Sequence, residues 1–168
     1  MKTLIVAAVT LDGFIAHGHH DKKIDWSSSQ DKAFARRITT AAGVVIIGYH
    51  TFETLKRPLS NRQNIVLTHY PDKQKPQTRT IFTNDSPRKV LKTLAGQGFS
   101  EVVVYGGGQI YKLFLKAGLV DKMWLTITPH IFGQGIRFPY QEIHGKTKLC
   151  SSRPLGKGEI LYEIDISE

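Results

Sequence analysis

The order of segments along the chain predicts an α/β domain built on a largely parallel sheet. Three observations carry this. Strand-length apolar runs alternate with stretches of helical period, two of those runs enter glycine turns that open helices, and the last two runs read as a hairpin. With 168 residues the chain is long enough to bury roughly 70% of its unfolded surface in one core and too short for two ordinary domains. The expectation is a single domain over residues 1–168.

Taken in order, residues 4–9 form the first strand. Residues 28–42 read as a helix, with Ala35, Ile38 and Ala42 recurring at helical spacing. Residues 44–47 are continuously apolar, the mark of a strand buried on both faces, and Gly48 turns the chain into a helical turn at 50–55. A strand at 64–68 follows, then a loop marked by Pro71-Asp72 and Lys75-Pro76, and a strand at 79–82. Ser86 caps the next helix, Pro87 occupies its first turn and Gly96 ends it. Residues 102–105 form a strand running into Gly106-Gly107-Gly108, and 109–116 are helical again. Strands follow at 123–128 and 160–166, the latter pairing back through Pro154-Leu155-Gly156-Lys157-Gly158 onto 148–152.

Composition narrows the class. Hydrophobic residues make up 40% and charged residues 22%, which argues against long disordered tracts. No apolar run approaches the roughly 18–20 residues of a membrane span, and the N-terminus enters strand-like sequence rather than a signal peptide, so a cytoplasmic location is expected. Cys150 reads as a small buried residue of a strand in a reducing compartment. Lysine and arginine outnumber acids by 23 to 14, a formal charge of +9, which suits polyanionic partners. The basic residues are dispersed, with no arginine-rich stripe among aromatics, so neither nucleic acid nor membrane is the expected partner.

Two glycine-led turns carry the chemistry. A strand that ends at Gly106-Gly107-Gly108 and opens a helix at Gln109 lets a ligand touch backbone, and the helix start offers unpaired N–H groups to a phosphate. The spacing is not Gly-x-Gly-x-x-Gly, and a tight packing turn needs the same small residues. Ile47-Gly48-Tyr49-His50-Thr51 repeats the arrangement, and a dinucleotide is long enough to span both. Thr68 and His69 stand where an adenosine ribose would lie; no acid is present there for a 2′-hydroxyl, which favours NADPH over NADH. Asp31 begins the stripe shared with Ala35, Ile38 and Ala42, so it points inward; Ser28-x-x-Asp31 also reads as a capping box, and the pattern does not separate the two. No cysteine or regularly spaced acid completes a metal site with His17, His19 and His20, which read as solvated loop residues, with 17–25 expected as a lid. Trp26 reads as a core anchor bordering the same pocket.

Together these segments resemble the dihydrofolate reductase family. The stretches Ile47-Gly48-Tyr49-His50-Thr51-Phe52-Glu53, Arg57-Pro58-Leu59, Asn61-Arg62-Gln63-Asn64-Ile65-Val66-Leu67-Thr68, Gly106-Gly107-Gly108-Gln109-Ile110-Tyr111 and Leu125-Thr126, with the Trp26 to Asp31 separation, carry the likeness. It implies a mostly parallel mixed sheet of about eight strands with about four flanking helices, and reduction of 7,8-dihydrofolate by NADPH. It further implies Asp31 and Thr126 as the catalytic pair and Ala8, Trp26, Phe34, Phe52, Arg62 and Tyr105 around the substrate, Arg62 pairing with the α-carboxylate of the glutamate tail. Ala8, Ile15, Gly48, Tyr49, His50, Thr51, Leu67, Thr68, His69, Tyr105, Gly107, Gly108, Gln109, Ile110 and Tyr111 are implied to hold the cofactor; the enzyme would be a monomer or homodimer.

Three positions depart from the family pattern: Tyr49 replaces an arginine, and Lys32 and Ala35 replace bulky apolar residues. Thr10-Leu11-Asp12-Gly13-Phe14-Ile15-Ala16, Pro129-His130-Ile131-Phe132-Gly133 and Gly158-Glu159-Ile160 look more like the riboflavin-pathway pyrimidine reductases, whose substrate carries a ribose phosphate. Reduction of a ribosylamino-pyrimidine phosphate is therefore the second expectation, and a basic binding module without catalysis a third.

Overall fold

The computed structural model describes residues 1–18, 25–55 and 57–167. In chain order the elements are β1 (Lys2–Thr10), β2 (Phe14–Ala16), α1 (Ser29–Ala42), β3 (Val44–Gly48), α2 (Tyr49–Glu53), β4 (Gln63–Leu67) and β5 (Thr80–Thr83). There follow α3 (Pro87–Gly96), β6 (Glu101–Gly106), α4 (Gly108–Lys116), β7 (Lys122–Thr128), β8 (Ile136–Arg137), β9 (Lys146–Gly156) and β10 (Glu159–Ser167). Eight strands form one sheet in the order β5-β4-β3-β6-β1-β7-β10-β9, parallel from β5 to β7 and antiparallel through the last two. The α/β class, the mixed eight-stranded sheet and the four α-helices agree with expectation.

The sheet divides the apolar interior into two layers. Ile5, Val9, Ile46 and Val104 face α3 and α4, where they meet Val90, Leu94 and Phe114; Leu4, Val6, Val45 and Val103 face α1 and α2, where they meet Phe34, Ala35 and Phe52. Strand β3 is buried throughout, as a strand covered by helices on both faces must be. Emptying such a site is costly: truncating the fully buried Phe114 to alanine would remove about 3–5 kcal/mol.

Topology places the cleft. From β3 the chain moves outward to β4 and β5, then returns to lay β6 between β3 and β1, so the direction of winding reverses at β3, β6 and β1. Open α/β sheets bind ligands outside the carboxyl ends of strands at such a reversal. Helix α1 is held over this region by Ser28, whose side chain accepts from the Asp31 N–H, and is ended by Gly43 in the left-handed conformation at φ 72°. Its buried residues are Asp31, Phe34, Ala35 and Thr39, with Ile38 and Ala42 half-buried, so the inward stripe is rotated from the one the spacing suggested.

Several features differ from expectation. Cys150 is exposed rather than buried, because β9 is the outer edge of the sheet and only Leu155 among its residues is even partly covered. Strand β9 is also longer than the expected 148–152; Pro154 is tolerated inside it because an edge strand can spare a donor. The short β2–β8 pair, a two-stranded sheet beside the main one, was not expected. Of the lid expected over 17–25, residues 19–24 lie outside the described residues, as do His19 and His20.

Candidate active site

Asp31 sits in the first turn of α1 and is 6% exposed. Burial raises its carboxyl above the usual range; hydrogen bonding to Thr126 and Ser27 opposes the rise, the charge of Glu159 adds to it and Lys32 pulls it down. Ser27 lies near enough to weigh on Asp31, yet its buried hydroxyl completes no hydrogen bond of good geometry. Thr126 is buried on β7, in register with Ala8 of β1 on one side and Leu161 of β10 on the other. The sheet thus brings Asp31, Thr126 and Ala8 to one place, from three elements remote in sequence.

The capping box suggested by Ser28 and Asp31 is only half formed. Ser28 Oγ accepts from the Asp31 N–H at 3.1 Å, but the Ser28 N–H donates to Glu159 Oε1 at 2.7 Å and the Ser28 hydroxyl donates to Glu159 Oε2. The Asp31 carboxylate is therefore released from capping and left to the cleft. The sequence marked Glu159 only as part of the Gly158-Glu159-Ile160 segment and gave it no partner; it lies 131 positions from Ser28, and no local pattern connects them.

The two glycine turns meet. A Cβ on Gly48 would stand 2.8 Å from Ile110 Cγ1, and one on Gly107 would stand 2.8 Å from Thr51 Oγ1. Only glycine lets the backbones approach this closely. Neither α2 nor α4 has a side-chain cap at its N-terminus, so first-turn N–H groups there are left without a capping side chain. Ile15 closes one side, with its Cδ1 3.2 Å from the same kind of added atom on Gly108, and Leu67 pairs with Gly48 across β4 and β3. Thr68 and the exposed His69 continue from the end of β4, and exposed Gln109 and His50 stand at the rim. Tyr111 is buried; its hydroxyl lies within hydrogen-bond distance of Val6 O at 2.9 Å and Tyr105 O at 3.0 Å, fastening α4 to the middle of β1 and the end of β6.

At the far end of α1, Arg62 is 5% exposed, donating from Nε to Ser60 O at 2.9 Å and from Nη1 to the hydroxyl of Thr39. No carboxylate pairs with it among the described residues, and burial lowers its pKa. It borders a cavity of about 480 Å³ together with Arg79, Asn61 and Phe99.

Trp26, Phe34 and Phe52, expected around the substrate, are buried. Phe34 packs edge-on against Trp124 with Arg37 and Arg153 over its ring, and Phe52 packs edge-on against Phe82. Trp26 is buried against Phe132 and His130 of the loop after β7, and His17 stacks on Phe132 with ring centroids 3.6 Å apart. The same loop is tied to the turn after β1 by Asp12, which accepts from the N–H groups of Phe132 and Gly133 and from the Thr10 hydroxyl. No cluster of metal-ligating residues occurs among the described residues, and no helix there is long and apolar enough to cross a membrane.

A family model described as dihydrofolate reductase matches residues 2–148. The chain belongs to the dihydrofolate reductase family. It is 35% identical over 140 residues to the dihydrofolate reductase of Bacillus subtilis (strain 168), covering 83% of this chain and 77% of that protein. Its fold is similar to a putative riboflavin biosynthesis protein from Shewanella sp. PV-4, at TM-score 0.80 and 20% identity over 100% of both chains. It is also similar to a diaminohydroxyphosphoribosylaminopyrimidine deaminase/5-amino-6-(5-phosphoribosylamino)uracil reductase from Thermotoga maritima, at TM-score 0.77 and 19% identity, covering 99% of this chain and 56% of that one.

Membership makes the chain a reductase of a small molecule. Within the family pattern, Tyr49 in place of arginine is half-buried, and its hydroxyl is drawn to Glu53, which raises its pKa. Lys32 is exposed and the small Ala35 is buried beside Phe34 on the inward face of α1.

Proposed function

We propose that the chain reduces 7,8-dihydrofolate to tetrahydrofolate with NADPH. The observation that carries this is the pairing of two unusual groups along α1: a desolvated acid at its first turn and a buried guanidinium without a carboxylate, hydrogen-bonded to Thr39, near its last. From residue 31 to residue 39 the helix rises about 12 Å. A flat heterocycle bearing an amino-amide edge at one end and a carboxylate at the other matches that span.

The joined turns at Gly48 and Gly107 fit a dinucleotide, since the close backbone approach leaves uncapped N–H groups where phosphates would lie. Gly107, Gly108, Gln109, Thr51 and Thr68 would hold it. NADPH, when bound, supplies the hydride for carbon 6 of the pterin and departs as NADP⁺. The protein's task is the proton: Asp31, with Thr126, holds the amino-amide edge and favours protonation of N5, the nitrogen that becomes N–H as the ring accepts hydride. Ala8 and Tyr105 contribute backbone carbonyls nearby.

The test is oxidation of NADPH with dihydrofolate as acceptor, in parallel with a ribosylamino-pyrimidine phosphate. That second substrate is supported by the 10–16 turn, which Asp12 fastens to the loop after β7. Turnover of the phosphate compound alone would replace the first reading. With dihydrofolate as substrate, Arg62→Lys should raise its KM about ten- to hundredfold, the loss of one charge-assisted bidentate pair. A pterin lacking the glutamate tail should show no such change; an equal effect on both would remove Arg62 from carboxylate recognition.

A further inference from the structure

We propose that Glu159, at the start of β10, is the positioning residue of the site: it seats the first turn of α1 through Ser28 and holds a second buried negative charge beside Asp31. This rests on the reading of Asp31 as the acid of the reaction.

The geometry is specific. Glu159 is 2% exposed, and no lysine or arginine pairs with it among the described residues. Its two oxygens meet two donors of one residue, the Ser28 N–H at 2.7 Å and the Ser28 hydroxyl. Ser28 Oγ in turn accepts the Asp31 N–H at 3.1 Å, and Ser28 O accepts from the Lys32 N–H at 3.2 Å. A carboxylate, which only accepts, satisfies both Ser28 donors; a glutamine would oppose its own N–H₂ to the hydroxyl. The hairpin, joined to β7 through Ile160 and Leu161, thereby fixes the height of α1 over the sheet at the turn carrying Asp31.

The charge has its own effect. Around Asp31, Lys32 on α1 and the hydroxyls of Thr126 and Ser27 favour the carboxylate form, while Tyr105 on β6 and Tyr111 on α4 are themselves shifted upward in part by the Asp31 charge. Glu159 supplies the neighbouring charge that opposes ionisation. A second buried acid whose charge acts on Asp31 favours keeping a proton at the site, which a reduction requiring a protonated ring nitrogen uses.

The experiment follows the Asp31 carboxyl by carbon-13 NMR in the protein without substrate, its signal assigned by its loss in Asp31→Asn. In Glu159→Gln the Asp31 titration should move to lower pH than in the wild type. An unmoved midpoint would overturn the proposal. If Glu159→Gln does not fold, Glu159→Asp carries the test: withdrawing the charge by one methylene should move the midpoint in the same direction by less, and no movement again overturns it. The pH profile of dihydrofolate turnover is recorded on the same variant and should shift in step. A moved midpoint with an unmoved profile leaves Glu159 as the tuner of Asp31 and removes Asp31 from the reaction.

Discussion

At the scale of one residue, the role proposed for Asp31 comes at a cost to stability. A carboxylate in a helix's first turn gains about 0.3–1 kcal/mol from the backbone dipole, but burial here outweighs that gain and the hydroxyls of Thr126 and Ser27, because its pKa is raised and not lowered. The sign follows from linkage. A carboxyl whose folded pKa lies above its unfolded value adds stability below the unfolded pKa and loses it as pH rises through the folded one. Once ionised the group is therefore a burden, and Asp31→Asn, of the same shape, should stabilise the fold at pH above that folded value by on the order of 1 kcal/mol, about 2–4 °C in Tm. The gain should vanish in acid, where the wild-type group is protonated too. The same variant should lose on the order of 10²–10⁴ in turnover of dihydrofolate while its affinity for NADPH is retained. Thermal unfolding at two pH values and steady-state kinetics check both halves; a variant less stable at neutral pH would show that the carboxylate is a structural cap.

At the scale of elements, the proposed cofactor site rests on how two strand-to-helix turns touch. Gly107 has an ordinary backbone conformation, φ −71°, so its lack of a side chain is needed for space and not for torsion. An added Cβ would meet Thr51 Oγ1 at 2.8 Å and force α4 away from α2. Gly107→Ala should therefore cost about 1–3 kcal/mol in NADPH affinity, roughly five- to hundredfold in Kd by calorimetry, and unaltered affinity would separate the turns from cofactor binding. The turns themselves were legible in the sequence, because glycine after a continuous apolar run has a local physical meaning; so was α1, bounded by Ser28 and Gly43. What escaped was whatever depends on distant pairing. The stripe around Asp31 gave no hint that the Ser28 donors go to Glu159, and the composition around Cys150 gave no hint that β9 is an uncovered edge. Phe34 lies one position from Ala35 in sequence, yet its ring turns toward Trp124 and two arginines, a choice made by β7 and β9.

The whole molecule adds a long-range field to this local chemistry. A formal charge of +9 is dispersed along the chain, while Asp31 and Glu159, the two acids of the proposed site, are buried. Both proposed ligands are polyanions, so the surface draws them in and the buried groups sort them once they arrive. Screening separates these roles, since the Debye length falls from about 10 Å at 0.1 M salt to about 3 Å at 1 M. Across that range kcat/KM for both NADPH and dihydrofolate should fall with added salt, whereas kcat at saturation should hold, because the Asp31 environment excludes counterions. Arg62→Lys retains the charge and should leave the salt slope unchanged while still raising KM for dihydrofolate. A kcat/KM indifferent to salt would assign the positive surface no part in capture, and a kcat that falls with it would place the reacting groups in contact with bulk solvent.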